Sequence, residues 1–179
     1  MAATTQLMTV EEFRKLPEDA GPVYHELRHG EAVPVTRPKA RHYVIQVRLH
    51  DLLRERTPAG GFVGTELAFR PGPEHELRVA DVAYVSKERW QGLDLDDNLH
   101  GAPELVIEVL SPSNTAAEIY DKEKICLENG AREFWVVDPE RRQVKVSTPD
   151  GHTVTWHAGQ EMPVALLGDA RVSVDAIFA

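Results

Sequence analysis

Two hydrophobic spacings alternate along this chain, one with the period of an α-helix and one with the period of a β-strand. Residues 41–56 have the helical spacing and are bracketed by Pro38 and Pro58, which predicts an amphipathic helix. Its apolar stripe is expected to contain Val44, Val47, Leu49, Leu52 and Leu53. Another helix is predicted up to about Asn129, with Asn114 or Thr115 as its N-cap. It should end at Gly130, because glycine readily adopts the backbone conformation of a helix end.

The N-terminal region predicts a short helix followed by a hairpin. Residues 9–16 begin with Thr9 and have Glu12 three positions later, which is the spacing of a capping box. Residues 24–28 and 31–35 alternate between apolar and polar positions on either side of a His-Gly turn, a pattern typical of a β-hairpin.

The remaining strand patterns fill the middle and the end of the chain. They lie at residues 62–69, 78–85, 105–110, 133–138, 143–147, 152–156 and 170–174. Residues 94–101 are polar and acidic and predict a mobile loop. The succession of strands and helices predicts one α/β domain over residues 1–179, with a mixed central sheet flanked by helices and with N- and C-terminal β-hairpin extensions.

The composition is that of a globular protein with a substantial core, since the 179 residues are 42% hydrophobic and 27% charged. The single cysteine, Cys126, excludes an intramolecular disulfide and a multi-cysteine zinc site, and it favours a reducing compartment. The first residues lack the basic and apolar regions of a signal peptide, and no apolar run approaches the roughly 20 residues of a membrane span. We therefore expect a cytoplasmic protein with no membrane partner.

The charge balance bears on the choice of partner. The chain has 29 acidic and 20 basic residues, and its formal net charge is −9. Proteins that bind nucleic acid usually have a basic surface, because contacts to phosphates supply most of their non-specific affinity. A role on DNA therefore requires either a local basic face or carboxylates whose charge is offset by bound metal.

Asp81 and Glu108 are the most informative residues, because each is a single carboxylate within an apolar strand pattern. A buried carboxylate must be paired, protonated or bound to a cation. Two such acids on neighbouring strands would suit a divalent metal, which prefers oxygen ligands. A lysine of residues 121–124 (DKEK), in the helix that follows Glu108, could reach back toward them. Two carboxylates and a lysine are the groups that metal-dependent phosphodiester hydrolysis requires.

Several motifs, spread over most of the chain, match one known family. They are residues 24–31 (YHELRHGE), His42, residues 80–82 (ADV), residues 103–113 (PELVIEVLSPS), Lys122 and residues 133–139 (EFWVVDP). On these motifs the chain resembles the Uma2 (DUF820) group of restriction-endonuclease-like proteins, within the PD-(D/E)xK nuclease superfamily. The resemblance implies a restriction-endonuclease-like fold and an endonuclease that acts on DNA with Mg²⁺ or Mn²⁺ as its cofactor.

Residue by residue, the resemblance implies a catalytic set that includes two metal ligands. Asp81 is the motif aspartate and Glu108 the motif glutamate, and both would bind the metal. The usual lysine of the superfamily, two positions after the glutamate, is replaced here by Leu110. The Uma2-like pattern moves that lysine onto the following helix, which matches Lys122. Glu26 matches an acid that joins the catalytic set from the first hairpin.

Each candidate residue also has a structural interpretation, in which it forms an ion pair, caps a helix or is simply solvated. In that interpretation Asp81 pairs with Arg78 or Lys87, Glu26 pairs with Arg28 or Lys15, Lys122 is solvated, His42 caps its helix and Glu66 faces outward. Two other functions also stay open, a catalytically silent binding or regulatory module and an assembly protein that oligomerises through its C-terminal hairpins. An exposed apolar edge expected at residues 144–147 predicts a homodimer.

Overall fold

The computed structural model describes residues 7–17, 23–72 and 74–179. In chain order the elements are α1 (Val10–Phe13), β1 (Val23–Arg28), β2 (Glu31–Thr36), α2 (Ala40–Arg54), β3 (Phe62–Arg70), β4 (Arg78–Val85), α3 (Lys87–Gln91), β5 (Leu99–His100), β6 (Leu105–Val109), α4 (Ala116–Glu128), β7 (Glu133–Asp138), β8 (Gln143–Ser147), β9 (Thr153–His157), β10 (Glu161–Pro163), β11 (Arg171–Ser173) and α5 (Val174–Ile177). Strands β4, β7 and β8 have the predicted bounds, because each is an apolar or alternating run between turn residues. The short elements β5, β10 and α5 were not predicted.

The central sheet has seven strands in the order β5-β3-β4-β6-β7-β8-β9. β6 and β7 are parallel neighbours, and α4 connects them because parallel strands need a crossover connection. β4 pairs with β6 in antiparallel fashion, as β7 does with β8 and β8 with β9. The result is the mixed α/β sheet that the sequence predicts.

The predicted apolar edge at residues 144–147 is wrong. These residues belong to β8, which pairs with β7 on one side and with β9 on the other. Both neighbouring strands use its backbone groups, and the side chain of Val144 is buried. The expectation of a homodimer that rested on this edge therefore has no structural basis.

Hydrophobic side chains cover both faces of the sheet and form two cores. α2 covers one face, where Leu49 packs in the same cluster as Ile107 of β6. α4 covers the other face, where Cys126 packs in a cluster with Val106. Successive side chains of a strand point to opposite faces, so Glu108 of β6 points to the α4 side of the sheet, as Val106 does.

α2 buries a narrower stripe than the sequence predicts. Its buried residues are Ile45, Gln46, Leu49 and Leu53. Residues 45, 49 and 53 are four positions apart and therefore lie on one helix face, toward the sheet. This orientation turns Val44 and Val47 toward solvent, where they are 44% and 37% exposed, so their predicted place in the buried stripe is wrong. Within the described ranges, no helix is long and apolar enough to cross a membrane.

The acidic segment 94–101 is more ordered than predicted. Its last residues form β5, which pairs in parallel with β3, and Leu99 is buried. Asp97 accepts hydrogen bonds from Arg14, just after α1, and from His100. The prediction of a loop without regular structure is therefore wrong in part, because Arg14 and Arg70 anchor Asp97.

The N-terminal hairpin of β1 and β2 lies against the start of β4. Leu27 of β1 exchanges two backbone hydrogen bonds with Leu77, at 3.0 and 2.9 Å. The bridge at Leu77 brings the hairpin close to β4, so that Glu26 can reach the β4 backbone.

The predicted capping box of Thr9 and Glu12 is confirmed, and it begins α1.

Candidate active site

The candidate site lies where β4 and β6 separate. Their ladder ends at the pair Val82–Ile107, and Asp81 and Glu108 occupy the next positions along the two strands. Asp81 Oδ2 accepts a hydrogen bond from the Val109 N–H at 2.7 Å, and Glu108 Oε1 lies 3.5 Å from the Asp81 backbone nitrogen. Each carboxylate thus contacts the backbone of the opposite strand, and the two predicted acids lie at neighbouring positions of the opening.

The backbone of Val79, in the same open part of β4, binds two further predicted residues. Its N–H donates to Glu26 Oε1 at 3.0 Å, and its carbonyl oxygen accepts from Lys122 Nζ at 2.6 Å. A buried backbone group without a hydrogen-bond partner is costly. These two side chains therefore supply hydrogen bonds to the part of the β4 backbone that β6 does not pair with. The hairpin and α4 therefore each contribute one side chain to the opening.

Lys122 joins the carboxylates of the site. Its Nζ lies 2.8 Å from Glu108 Oε2 and 3.6 Å from Glu26 Oε1. The side chains of Lys122, Glu108 and Glu26 are 8%, 9% and 1% exposed, so water barely reaches these ion pairs. α4 holds the lysine in place and begins at the predicted N-cap Thr115, which forms a capping box with Glu118. The interpretation of Lys122 as a solvated helix residue is wrong.

Burial and charge act in opposite directions on these groups. Burial raises the pKa of Glu108 to about 8, although the ammonium of Lys122 opposes this shift. Burial lowers the pKa of Lys122, but the surrounding carboxylates outweigh it and hold that pKa above its usual range. Burial also raises the pKa of Glu26, yet Lys122 and Arg28 outweigh it and keep that pKa below its usual range. The lysine therefore keeps its proton.

Two residues of α2 hold Asp81 from the other face of the sheet. Gln46 Nε2 donates to Asp81 Oδ1 at 2.9 Å. His42 Nε2 lies 3.2 Å from Asp81 Oδ2 and 2.8 Å from the Val109 carbonyl oxygen. Burial lowers the pKa of His42, but its hydrogen bond to Asp81 and the charge of that carboxylate outweigh burial and raise it. His42 thus lies inside α2 and contacts the site, and the interpretation of it as a helix cap is wrong.

Gln46 and Glu66 were not predicted as site residues. Gln46 Nε2 also donates to Glu66 Oε1 at 2.5 Å and so joins two carboxylates. Glu66 lies opposite Asp81 in the register of β3 and β4, at an interruption of the ladder where its φ is +52°. Glu66 is exposed as expected, yet its carboxyl is turned toward the site. Desolvation raises the pKa of this carboxyl, and the charge of Asp81 adds to the shift.

A sequence signal existed for Gln46 but not for Glu66. Gln46 is a polar residue in the buried stripe of α2, four positions after His42, and it therefore lies on the same helix face. The strand pattern around Glu66 is ordinary, and only the pairing of β3 with β4 brings this residue opposite Asp81.

Arg28 links the hairpin to α4. Its Nε lies 2.9 Å from Glu26 Oε2, and its Nη1 lies 2.9 Å from Glu118 Oε1. The structural interpretation of Glu26 as a partner of Arg28 is therefore confirmed. This pairing is compatible with a place in the site, because the other oxygen of Glu26 faces Val79 and Lys122.

A buried arginine makes a second link to α4. Arg78 is 1% exposed, and it binds Glu76 at 2.7 Å and Asp121 at 2.9 Å. Asp121 directly precedes Lys122, so this contact also helps to place the lysine. The proposed pairing of Asp81 with Arg78 is wrong, and among the described residues no ion pair joins Asp81 to Lys87.

The donors at the site fit a hard divalent ion. Asp81 and Glu108 supply carboxylate oxygens, and Gln46 Oε1 is a buried oxygen with no hydrogen-bond partner in the part of the chain that the structure describes. No group of three or more His, Cys, Asp or Glu side chains in the described ranges is arranged to hold a metal ion. Mg²⁺ commonly uses one or two carboxylates, with water and substrate phosphates completing its coordination. A site with two carboxylates therefore suits Mg²⁺ or Mn²⁺ better than a metal that needs several protein ligands.

The mixed sheet and its flanking helices place the chain in the α/β class of folds. The crystal structure of a putative nuclease belonging to DUF820 from Anabaena variabilis ATCC 29413 has the same fold, with a TM-score of 0.81. The two chains are 23% identical, and the similarity covers 96% of this chain and 97% of the other.

A family assignment narrows this class. Residues 10–175 match the model of the Uma2 family, which is described as a putative restriction endonuclease. The match spans most of the chain, so the protein belongs to the Uma2 family, and the resemblance inferred from the motifs is confirmed. No curated protein matches the chain.

Proposed function

We propose that this protein is a divalent-metal-dependent endonuclease that hydrolyses phosphodiester bonds in DNA, with Mg²⁺ or Mn²⁺ as its cofactor. The observation that carries this proposal is the meeting of Asp81, Glu108 and Lys122 at the opening between β4 and β6. Membership of a family described as a restriction endonuclease supports the same reaction class.

Asp81 and Glu108 are the proposed metal ligands. A metal held there supplies a polarised phosphoryl oxygen and a hydroxide nucleophile at neutral pH. Gln46 and His42 position Asp81, because their hydrogen bonds restrict the rotation of its carboxylate. Glu108 is positioned by Lys122 and by the strand on which it lies.

Lys122 is the proposed cation for the transition state. Its ammonium can donate hydrogen bonds to the attacking water or to a phosphoryl oxygen, and it neutralises the negative charge that develops on the phosphate. Glu26 and the Val79 carbonyl direct this ammonium, so Glu26 acts through the lysine as a positioning residue. The surrounding carboxylates keep the lysine protonated.

Calorimetric titration with Mn²⁺ tests metal binding. The wild-type protein is expected to bind Mn²⁺, and Asp81→Asn and Glu108→Gln are expected to lose binding, because a neutral amide is a weaker ligand than a carboxylate. Asp169→Asn, which changes an exposed carboxylate elsewhere in the chain, is the matched control and should bind as the wild type does. Wild-type protein that fails to bind Mn²⁺, or binding that survives both site substitutions, would contradict the proposal.

Cleavage of supercoiled plasmid with Mg²⁺ or Mn²⁺ tests the reaction. The wild type and Asp169→Asn are expected to convert the plasmid to nicked and linear forms. Asp81→Asn, Glu108→Gln and Lys122→Met are expected to leave it supercoiled, because each removes a proposed metal ligand or the proposed transition-state cation.

The alternative is a catalytically silent nuclease-fold module that serves in binding or regulation. The direct ion pair between Lys122 and Glu108 favours it, because it occupies one oxygen of a proposed metal ligand. The net charge of −9 favours it as well, since it weakens attraction to DNA. In that case Mn²⁺ binds, whereas plasmid and single-stranded DNA both stay intact with every metal tested.

A further inference from the structure

The outer face of α2 has a positive charge that no acid within the described ranges neutralises. Lys39, Arg41 and Arg48 lie in a stretch, residues 37–50, that contains no acidic residue. Lys39 and Arg41 are exposed, and within the described ranges none of the three forms an ion pair. Cations elsewhere are commonly paired, as are Arg28, Arg78, Arg89, Lys122 and Lys145. The α2 face therefore groups cations without an acidic partner among the described residues, in a chain with a net charge of −9.

A groove of about 400 Å³ runs along this face. Arg41, Val44 and Arg48 line one wall from α2, and Pro139 and Arg142, from the turn between β7 and β8, line the other. Positions 41, 44 and 48 are three and four residues apart, so they share one face of the helix. Both walls therefore present a guanidinium beside an apolar surface.

Two charges partly offset the positive walls of the groove. Arg142 lies 3.2 Å from Asp175, and Glu140 is also among the lining residues. Arg41 and Arg48 have no such partner in the part of the chain that the structure describes, so these two residues determine the charge of the α2 wall.

The groove begins beside the candidate active site on both walls. On α2, Arg41 precedes His42, whose ring contacts Asp81 and the Val109 carbonyl. On the other wall, Pro139 follows β7 directly, and Val137 of β7 pairs with Val109 of β6. A polymer bound along the groove would therefore reach the opening between β4 and β6.

We propose that Arg41 and Arg48 bind backbone phosphates of the DNA strand next to the cleavage site. This inference rests on the proposed endonuclease function. The two arginines are seven positions apart in the helix, which is about 10 Å along the axis of α2 and roughly three nucleotide steps of one strand. Acidic residues farther away have little effect on a phosphate bound at these arginines, because charges beyond about 8 Å are largely screened at physiological ionic strength. Contacts to phosphates position a strand without reading its sequence.

The salt dependence of DNA binding tests this assignment. A labelled DNA duplex is titrated in EDTA, so that no cleavage occurs, at salt concentrations from about 50 to 200 mM. Affinity falls as salt rises, so the slope of log affinity against log salt is negative. Arg41→Gln/Arg48→Gln should reduce the magnitude of this slope by about 1.8, because each lost phosphate contact removes about 0.9. The loss of affinity between the two salt concentrations should then be roughly tenfold smaller than for the wild type.

A matched double variant separates this face from general charge. Arg54→Gln/Lys87→Gln also removes two exposed cations, one at the end of α2 and one in α3, away from the groove. We expect its slope to match that of the wild type. A wild-type protein that does not bind the duplex, or two double variants with equal slopes, would overturn the assignment.

Plasmid cleavage by the same preparations separates this inference from the proposed function. If the wild type cleaves plasmid while Arg41→Gln/Arg48→Gln keeps the wild-type slope, the phosphate-binding face is refuted and the endonuclease stands. If the slope decreases in magnitude as expected and no metal supports cleavage, the phosphate-binding face stands and the endonuclease is refuted.

Discussion

Replacing Lys122 with methionine keeps a long side chain in α4 and removes its charge. The ammonium makes contacts of 2.6 Å to the Val79 carbonyl, 2.8 Å to Glu108 and 3.6 Å to Glu26, and all of them are lost. Breaking a buried ion pair from one side costs about 3–5 kcal/mol, because the other charge stays buried without its partner. Since burial raises the pKa of Glu108, this carboxyl can take a proton instead. We therefore expect a loss near the lower end, about 3 kcal/mol.

Urea and thermal unfolding measure this loss. For a chain of 179 residues, a loss of about 3 kcal/mol corresponds to a fall in melting temperature of roughly 6–12 °C. Lys124→Met is the matched control, because Lys124 is exposed on the same helix, and its free energy of unfolding should stay within about 0.5 kcal/mol of the wild-type value.

The double variant Lys122→Met/Glu108→Gln separates the ion pair from the packing of the lysine. Glutamine is neutral, so no buried charge is left unpaired at position 108, and the double variant should be no less stable than Lys122→Met. The two substitutions should therefore couple by about 1–3 kcal/mol. The reasoning is refuted if Lys122→Met is as stable as Lys124→Met, or if the two substitutions act additively.

Three further predictions concern Glu133, Thr115 and Gln46. Burial raises the pKa of Glu133 above its ordinary value of 4.5, although the Trp135 indole donates a hydrogen bond to this carboxyl. The folded protein therefore favours the protonated carboxyl, and it loses stability as the pH rises above the pKa of the unfolded chain. Glu133→Gln should therefore raise the melting temperature relative to the wild type more at pH 8 than at pH 4, and an equal difference at both values would contradict this. Thr115→Ala should lower the free energy of unfolding by about 1 kcal/mol in urea, because it removes the N-cap of α4, and an unchanged midpoint would count against it. Gln46→Leu should weaken Mn²⁺ binding by about 10–100-fold in calorimetry, because it releases the carboxylate of Asp81, and wild-type affinity would show that Gln46 does not position this ligand.

Local signals were sufficient for most of the elements. The bounds of β4, β7 and β8, the capping box at Thr9 and the N-cap of α4 at Thr115 depend on residues only a few positions apart. The acids of the site could also be predicted from the sequence, because burying a lone carboxylate in an apolar strand is costly unless it is paired or binds a cation. Lys122 was predicted only through the family resemblance, since its own surroundings in the sequence are those of a solvated helix residue.

What depends on the arrangement of strands could not be predicted from local pattern. The place of β8 inside the sheet overturned the expected edge at residues 144–147, because an alternating strand has the same pattern at an edge as in the interior. Glu66 joins the site only through its register with β4. Gln46 could have been noticed in the stripe of α2, yet its partner Asp81 is contributed by another element.

The sequence by itself determined the helices, most strands, the family and the pair of acids at Asp81 and Glu108, because each of these is encoded in neighbouring residues. Only the tertiary structure decided that β4 and β6 separate at these acids and that Lys122 fills the opening. It also decided that Arg41 and Arg48 of α2 form no ion pair with any described residue, whereas Arg28 and Arg78 meet acids from distant parts of the chain. The physical reason is that charge neutralisation and hydrogen bonding depend on distance in space, which the order of residues does not specify.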